Sequence, residues 1–302
     1  MQFLLGQDGI DARLDDAVRV ISPRARTPIV ADDDLVGRIL GVIDRRAAAV
    51  VATRQSLLFH VSGPKASGTR TIVEAVCREL GVPLLVADVE RLLAGARPFA
   101  DVIWLLAREA MLQSAVLCLD RFDALIDDAA GSAVHLRPLL DAVAVSSKLT
   151  FVLGTRPWRP ESRTDDRSFF SIRVALPDNA TSREVWEAHA RLLPDIADDI
   201  DWESIASRFR FGPDQIRDAL ATAQDLTRWR SSNADRITTA DLNEACRAMG
   251  ATHLTTLAQK IDGRRGWDEL VLPARPQTLP KELASEARYR GQVLGQWGFE
   301  RS

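Results

Sequence analysis

Residues 57–71 read LLFHVSGPKASGTRT: an apolar run, a glycine-bounded loop and a helix start. Such a loop binds phosphate through successive backbone N–H groups and a helix N-terminus. A Lys then neutralises the terminal phosphate oxygens, and a Ser or Thr hydroxyl holds Mg²⁺. Gly63, Pro64, Lys65, Ala66, Ser67, Gly68, Thr69 and Arg70 match the pattern G-x-x-x-x-G-K-[ST] at both glycines. Thr69 stands in place of the Lys and Arg70 in place of the Ser or Thr. Lys65 and Arg70 can each bring positive charge near a phosphate, yet neither occupies the lysine position. From spacing alone two readings stay open: a phosphate cradle without its two chemical side chains, or a turn with no ligand.

Further along, AVLCLDRFDAL (115–125) is an apolar stretch ending in Asp120, followed by Arg121. LTFVLGTRPW ends its apolar run at Thr155, where a hydroxyl serves a reacting group or simply starts a turn. Arg217, in FGPDQIRDAL, and Arg167, in DDRSFF, are available to anionic groups; their plainer reading is a solvated charge.

These residues need elements to hold them. Short, mostly apolar stretches at 57–61, 82–87, 115–120, 149–154 and 171–176 read as strands. Helical spacing runs between them: Ile72, Val73, Val76, Cys77 and Leu80 share one face, as do Ile103, Trp104, Ala107, Ala110 and Met111. Apolar strands alternating with amphipathic helices predict a doubly wound α/β domain with a parallel five-stranded sheet over residues 30–177. The pattern then turns helical at 181–193, 201–209, 213–230 and 238–249, opened by Thr181, Asp201, Pro213 and Thr238. This predicts a small all-helical domain over 178–262. Residues 1–29 carry a short amphipathic helix (Leu14, Val18, Ile21) and read as a junction from a preceding domain. Residues 263–302 read as an extended linker and a helix at 281–297, with Trp267 and Trp297 for docking onto a partner. Trp104, Trp186, Trp202 and Trp229 read as packing residues.

Composition narrows the function classes. A chain of 302 residues, 46% hydrophobic, can bury a substantial core. A net charge of −3 and a pI near 5.9 give no electrostatic case for nucleic acid or an anionic membrane as partner. The apolar runs are strand-length, and the N-terminus shows no signal-peptide pattern. Three scattered cysteines, Cys77, Cys118 and Cys246, fit reduced core residues of a cytoplasmic protein. They and the four histidines form no metal-ligand pattern.

Taken in order, the loop, Asp120, Thr155 and the helical segment make the chain resemble an AAA ATPase module. More narrowly, FLLGQDGIDARL, IRDALATAQDLTRWR, ITTADLNEACRAM and the tail WDELVLPARPQTLPKELASEARYRGQVLGQWGF resemble one family. It is the bacterial winged-helix-associated tandem AAA ATPases, including those encoded with contractile injection systems. In it a degenerate first AAA module precedes an intact second one.

The resemblance implies ATP or ADP as ligand, with Mg²⁺ supported by Asp120 at the Walker B position. It places residues 63–70 at the P-loop, Thr155 at sensor 1 and Arg217 near sensor 2, and 178–262 as a lid. Arg121 replaces the water-polarising Glu. Losing Lys, metal-ligand hydroxyl and Glu together implies little or no hydrolysis. The implied role is a nucleotide-holding, assembly or regulatory platform of a protein-remodelling ATPase. The alternative is an ATPase competent within an oligomer. Implied partners are neighbouring subunits of a ring, a second AAA module in the same full-length polypeptide, and a protein substrate. A DNA-acting initiator of the same class fits poorly with the acidic pI.

Overall fold

The computed structural model describes residues 10–23, 31–53, 56–126, 133–160, 167–193, 195–230 and 236–254, together with Pro280, Glu282, Leu283, Ser285 and Glu286. The linker, the bulk of the tail helix, Trp267 and Trp297 lie outside these residues. The chain divides into two compact units, Met1–Leu176 with Gly212–Asp214, and Pro177–Phe211 with Gln215–Ser302.

The first unit is a mixed α/β body built on a sheet of six strands: β1 (Val18–Ile21), β2 (Ser56–Ser62), β3 (Leu84–Asp88), β4 (Val116–Asp120), β5 (Leu149–Gly154) and β6 (Arg167–Arg173). Their order is β1-β3-β4-β5-β2-β6; all neighbours run parallel except β1, which pairs antiparallel with β3. The extra strand corrects two expectations. The sheet has six strands rather than five, and Val18 and Ile21 lie in β1, not in an amphipathic helix. The free edge of β3 offers unpaired backbone groups, and four residues of extended chain satisfy them where a short helix would not. The last strand also lies earlier than expected, because β6 pairs residue for residue with β2, from Ser56 opposite Arg167 to Ser62 opposite Arg173.

Side chains alternate across the sheet with period 2, as strand geometry requires. Leu57, Phe59 and Val61 of β2 and Phe151 and Leu153 of β5 pack beneath α1 (Asp33–Thr53) and α2 (Thr69–Glu79). Leu58, Leu117, Leu119 and Val152 face the other side, against α3 (Val89–Ala94), α4 (Phe99–Leu112), α5 (Asp123–Ile126) and α6 (Ala133–Ser146). Phe59 stacks on both register partners, Phe151 at 5.2 Å and Phe170 at 5.0 Å between centroids. It thereby ties β2 to both neighbours under the loop that follows it.

On α4 the buried stripe is Phe99, Val102, Ile103, Leu106, Ala107 and Ala110. Trp104 is therefore 78% exposed and Met111 also stands outside, against the packing role expected of them. Residue 104 lies about 100° around the helix from 103, off the face that the 3.6-residue period buries.

The described part of the second unit is helical: α7 (Asn179–Ala190), α8 (Trp202–Arg208), α9 (Pro213–Arg230, whose first two residues belong to the first unit) and α10 (Thr239–Leu254). Its core gathers Trp186, Ile205, Ile216, Leu220 and Leu242. Trp186 is fully buried, whereas Trp229 is 91% exposed at the end of α9, against the packing role expected of it. Asp201 caps α8 by accepting from Ser204 N at 3.0 Å, and Thr238 and Asp241 cap α10 reciprocally. The cap of α7 is Asp178, accepting from Thr181 N at 2.8 Å; Thr181, the expected cap, is the donor. Among the described residues no helix is long and apolar enough to cross a membrane.

Candidate functional site

The candidate site lies where β2, β4 and β5 end, beyond the carboxyl edge of the parallel sheet, the usual ligand position in open α/β sheets. β2 leads straight into the loop 63–68 and α2. Gly63 N donates to Gly154 O at 3.1 Å and Val174 N to Ser62 O at 2.7 Å, so both neighbouring strands hold the loop's entry. A Cβ on Gly63 would stand 2.6 Å from Val174 O and 2.5 Å from Ser67 Oγ. Ser67 N donates to Pro64 O at 3.1 Å and closes the turn. Ala66 and Gly68 then take left-handed φ values of 65° and 81°, which direct the chain into α2.

This geometry supplies the backbone half of a phosphate cradle. Gly68 is the N-cap of α2 and offers no side-chain acceptor, so the helix's opening N–H groups keep no capping partner from that residue. Ser67 is 4% exposed, and its Oγ has no hydrogen-bond partner among the described residues. A buried orphan hydroxyl costs free energy unless something bonds to it. Gly212 of the same unit lies against the loop, where a Cβ would collide with Ala66 O. Thr71 Oγ1 donates to Asp214 at 2.8 Å. Pro64 and Lys65 are exposed, and Thr69 opens α2 half-buried.

The side-chain half differs from that of a metal-dependent cradle. Arg70, in the first turn of α2, pairs through Nε with Glu74 Oε1 at 2.9 Å. Burial opposes its charge, but Glu74 and the fields of Cys118 and Asp120 hold its pKa above the ordinary arginine value. Asp120 ends β4 beside its register partner Asp88. Burial raises the Asp120 pKa, Asp88 adds to the rise, and Arg121 N (2.8 Å from Oδ1) and Arg70 oppose it. Arg121 takes a left-handed φ of 54° and turns its guanidinium to Glu90 Oε2 at 2.9 Å and Asp88 Oδ2 at 3.4 Å. At β5 the Thr155 hydroxyl donates to Asp123 Oδ2 at 2.8 Å, and Thr155 N to the same oxygen at 2.6 Å.

Loop, Asp120 and Thr155 thus meet at one edge of the sheet. Arg217 lies on α9 in the second unit, exposed, with Asp218 3.4 Å away. Arg167 opens β6, its backbone opposite Ser56. Sequence reasoning missed Asp88, Glu90, Asp123 and Gly212. No local pattern marks their part in the site, because there each acts on residues distant in the chain, even though Asp88 also caps α3. Glu74 was missed as well, although its place four residues beyond Arg70 on a helix made it legible.

A nucleotide's phosphates fit the backbone cradle. Mg²⁺ fits poorly: the hydroxyl it needs at position 70 is replaced by a guanidinium, a fixed cation whose field reaches Asp120. Among the described residues no group of three or more His, Cys, Asp and Glu forms a metal site.

No protein-family model and no curated protein matches the sequence. Among solved structures the chain is similar to one on the structural basis for katanin self-assembly, with a TM-score of 0.55 and 17% sequence identity over 80% of this chain and 92% of that chain. Katanin is an AAA ATPase, and the fold here is the AAA ATPase fold. At 17% identity the likeness is one of fold.

Proposed function

We propose that this chain is a degenerate AAA module of a protein-remodelling ATPase, acting mainly as a nucleotide-holding, assembly or regulatory platform with little or no hydrolysis of its own. The observation that carries the reading is the divided character of the loop. Its backbone cradle and buried Ser67 hydroxyl are present, while Thr69, Arg70 and Arg121 stand where Lys, Ser/Thr and Glu do the chemistry. Phosphoryl transfer depends on positioning and charge neutralisation, and three absent groups remove both. ATP or ADP is the ligand of this reading. Arg217 is a candidate contact to it and Thr155 a candidate positioning group, although the Asp123 bond already engages the Thr155 hydroxyl. The likeness to a structure on katanin self-assembly supports neighbouring AAA subunits in a ring as partners. The resemblance of the tail supports a second, intact AAA module in the same polypeptide, the family resemblance a protein substrate, and the reduced-type cysteines a cytoplasmic setting.

Titrating ADP and ATP into the purified chain, alongside a phosphate-release assay, tests this. Binding without turnover is expected. Robust magnesium-dependent hydrolysis by the chain alone would falsify the platform reading and favour a competent ATPase.

A further inference from the structure

We infer that the loop takes the phosphates of a nucleotide without a divalent cation, with the Arg70 guanidinium supplying the positive charge a metal ion would otherwise bring. This rests on the nucleotide-holding reading and adds how the charge is balanced.

Three observations meet at the loop. The N-terminus of α2, 11 residues long, opens at a glycine that offers no side-chain cap. The hydroxyl of Ser67, buried and without a hydrogen-bond partner among the described residues, lies against Gly63 at the loop's entry. Arg70 stands in the first helical turn, close enough to Asp120 for the two charges to influence each other. A phosphate chain between these groups would meet backbone N–H donors, a hydroxyl and a delocalised cation. Arginine suits this task, since its planar fork can bond two phosphate oxygens at once and it stays charged when partly buried. The Glu74 bond uses Nε, one of five N–H donors of the guanidinium.

A magnesium ion at the same place would lose its hydroxyl ligand and sit beside a like charge. Asp120, the acid that would hold it, already accepts from Arg121 N at 2.8 Å. In a metal-free site Asp120 is a negative charge facing phosphates, so its removal should help binding. In a metal-dependent site its removal should harm binding. The two arrangements therefore predict opposite signs for one substitution.

The experiment is calorimetric titration of ADP and ATP into the full chain, in magnesium chloride and in EDTA. It is repeated for Arg70→Gln, Asp120→Asn and the pair Thr69→Lys with Arg70→Thr, each first checked for an unchanged circular dichroism melt. Equal affinity in both buffers is expected. Arg70→Gln should weaken binding about tenfold in EDTA, the worth of a charge-assisted contact, and Asp120→Asn should leave binding equal or tighter. The double variant should become magnesium-dependent, which also reports on the loop if Arg70→Gln proves unstable. Binding that vanishes in EDTA, or that weakens with Asp120→Asn, overturns the inference and leaves the nucleotide-holding reading intact. Absence of binding in both buffers overturns both.

Discussion

Asp123 and His60 show how single residues hold the site edge. The Asp123 carboxylate accepts from Thr155 N, Thr155 Oγ1 and Arg156 N, so one side chain fixes the turn that follows β5. Gly154 lies so near that a Cβ there would stand 2.8 Å from Oδ1. Asp123→Ala should lower stability by roughly 1–3 kcal/mol, read from urea unfolding, because three donors lose their acceptor together. An unchanged midpoint would show that the turn holds by other means. His60 is fully buried in β2, edge-on to Trp158 at 5.9 Å, and neither ring nitrogen has a hydrogen-bond partner among the described residues. Burial lowers its pKa below 6.5, with the Asp123 charge opposing. The native state therefore refuses a proton that the unfolded chain accepts. Stability holds above pH 6.5 and falls as pH drops below it, by at most about 1.4 kcal/mol per pH unit for this one group, until the folded pKa is passed. Denaturation curves for His60→Leu between pH 7 and 5 should be flatter than those of the parent; an identical pH slope would clear His60 of this role.

At the scale of elements, the strand-loop-helix unit from β2 to α2 depends on two glycines for different reasons. Gly68 needs a left-handed φ of 81°, and alanine there costs roughly 1–2 kcal/mol by backbone strain. Gly63 needs room, since its added Cβ would meet the backbone carbonyl of Val174 at 2.6 Å, which no rotamer change relieves. Gly63→Ala should therefore destabilise more than Gly68→Ala in parallel thermal melts. The reverse order would mean that β6 shifts to admit the methyl group. Beneath the unit, the stack of Phe59 on Phe151 and Phe170 gives the loop a rigid base, as a positioned backbone cradle requires.

For the whole molecule, nucleotide binding and stability are linked. A ligand that binds only the native state stabilises it by about 2.7 kcal/mol at a hundred times its dissociation constant. Adding ADP at that excess should raise the melting temperature of the first unit, in EDTA as well as in magnesium. A melt insensitive to ADP at saturating concentration would contradict the nucleotide-holding reading. The chain's division into an α/β unit and a helical unit makes separate transitions observable in the same calorimetric scan.

By itself the sequence determined the α/β class, the strand-to-helix junction at Gly63–Gly68, the acid ending β4 and the helical character after residue 177, because each is written in local periodicity and turn chemistry. It also made plain which side chains the loop lacks. The tertiary structure alone decided what is non-local. An extra antiparallel strand completes the β3 edge, since an unpaired edge needs extended chain and local helical spacing at Leu14, Val18 and Ile21 cannot register that need. Trp104 points outward because its neighbours on α4 fill the buried face. Arg121 turns to Asp88 and Glu90 because pairing of β3 with β4 brings together charges that lie 30 or more positions apart.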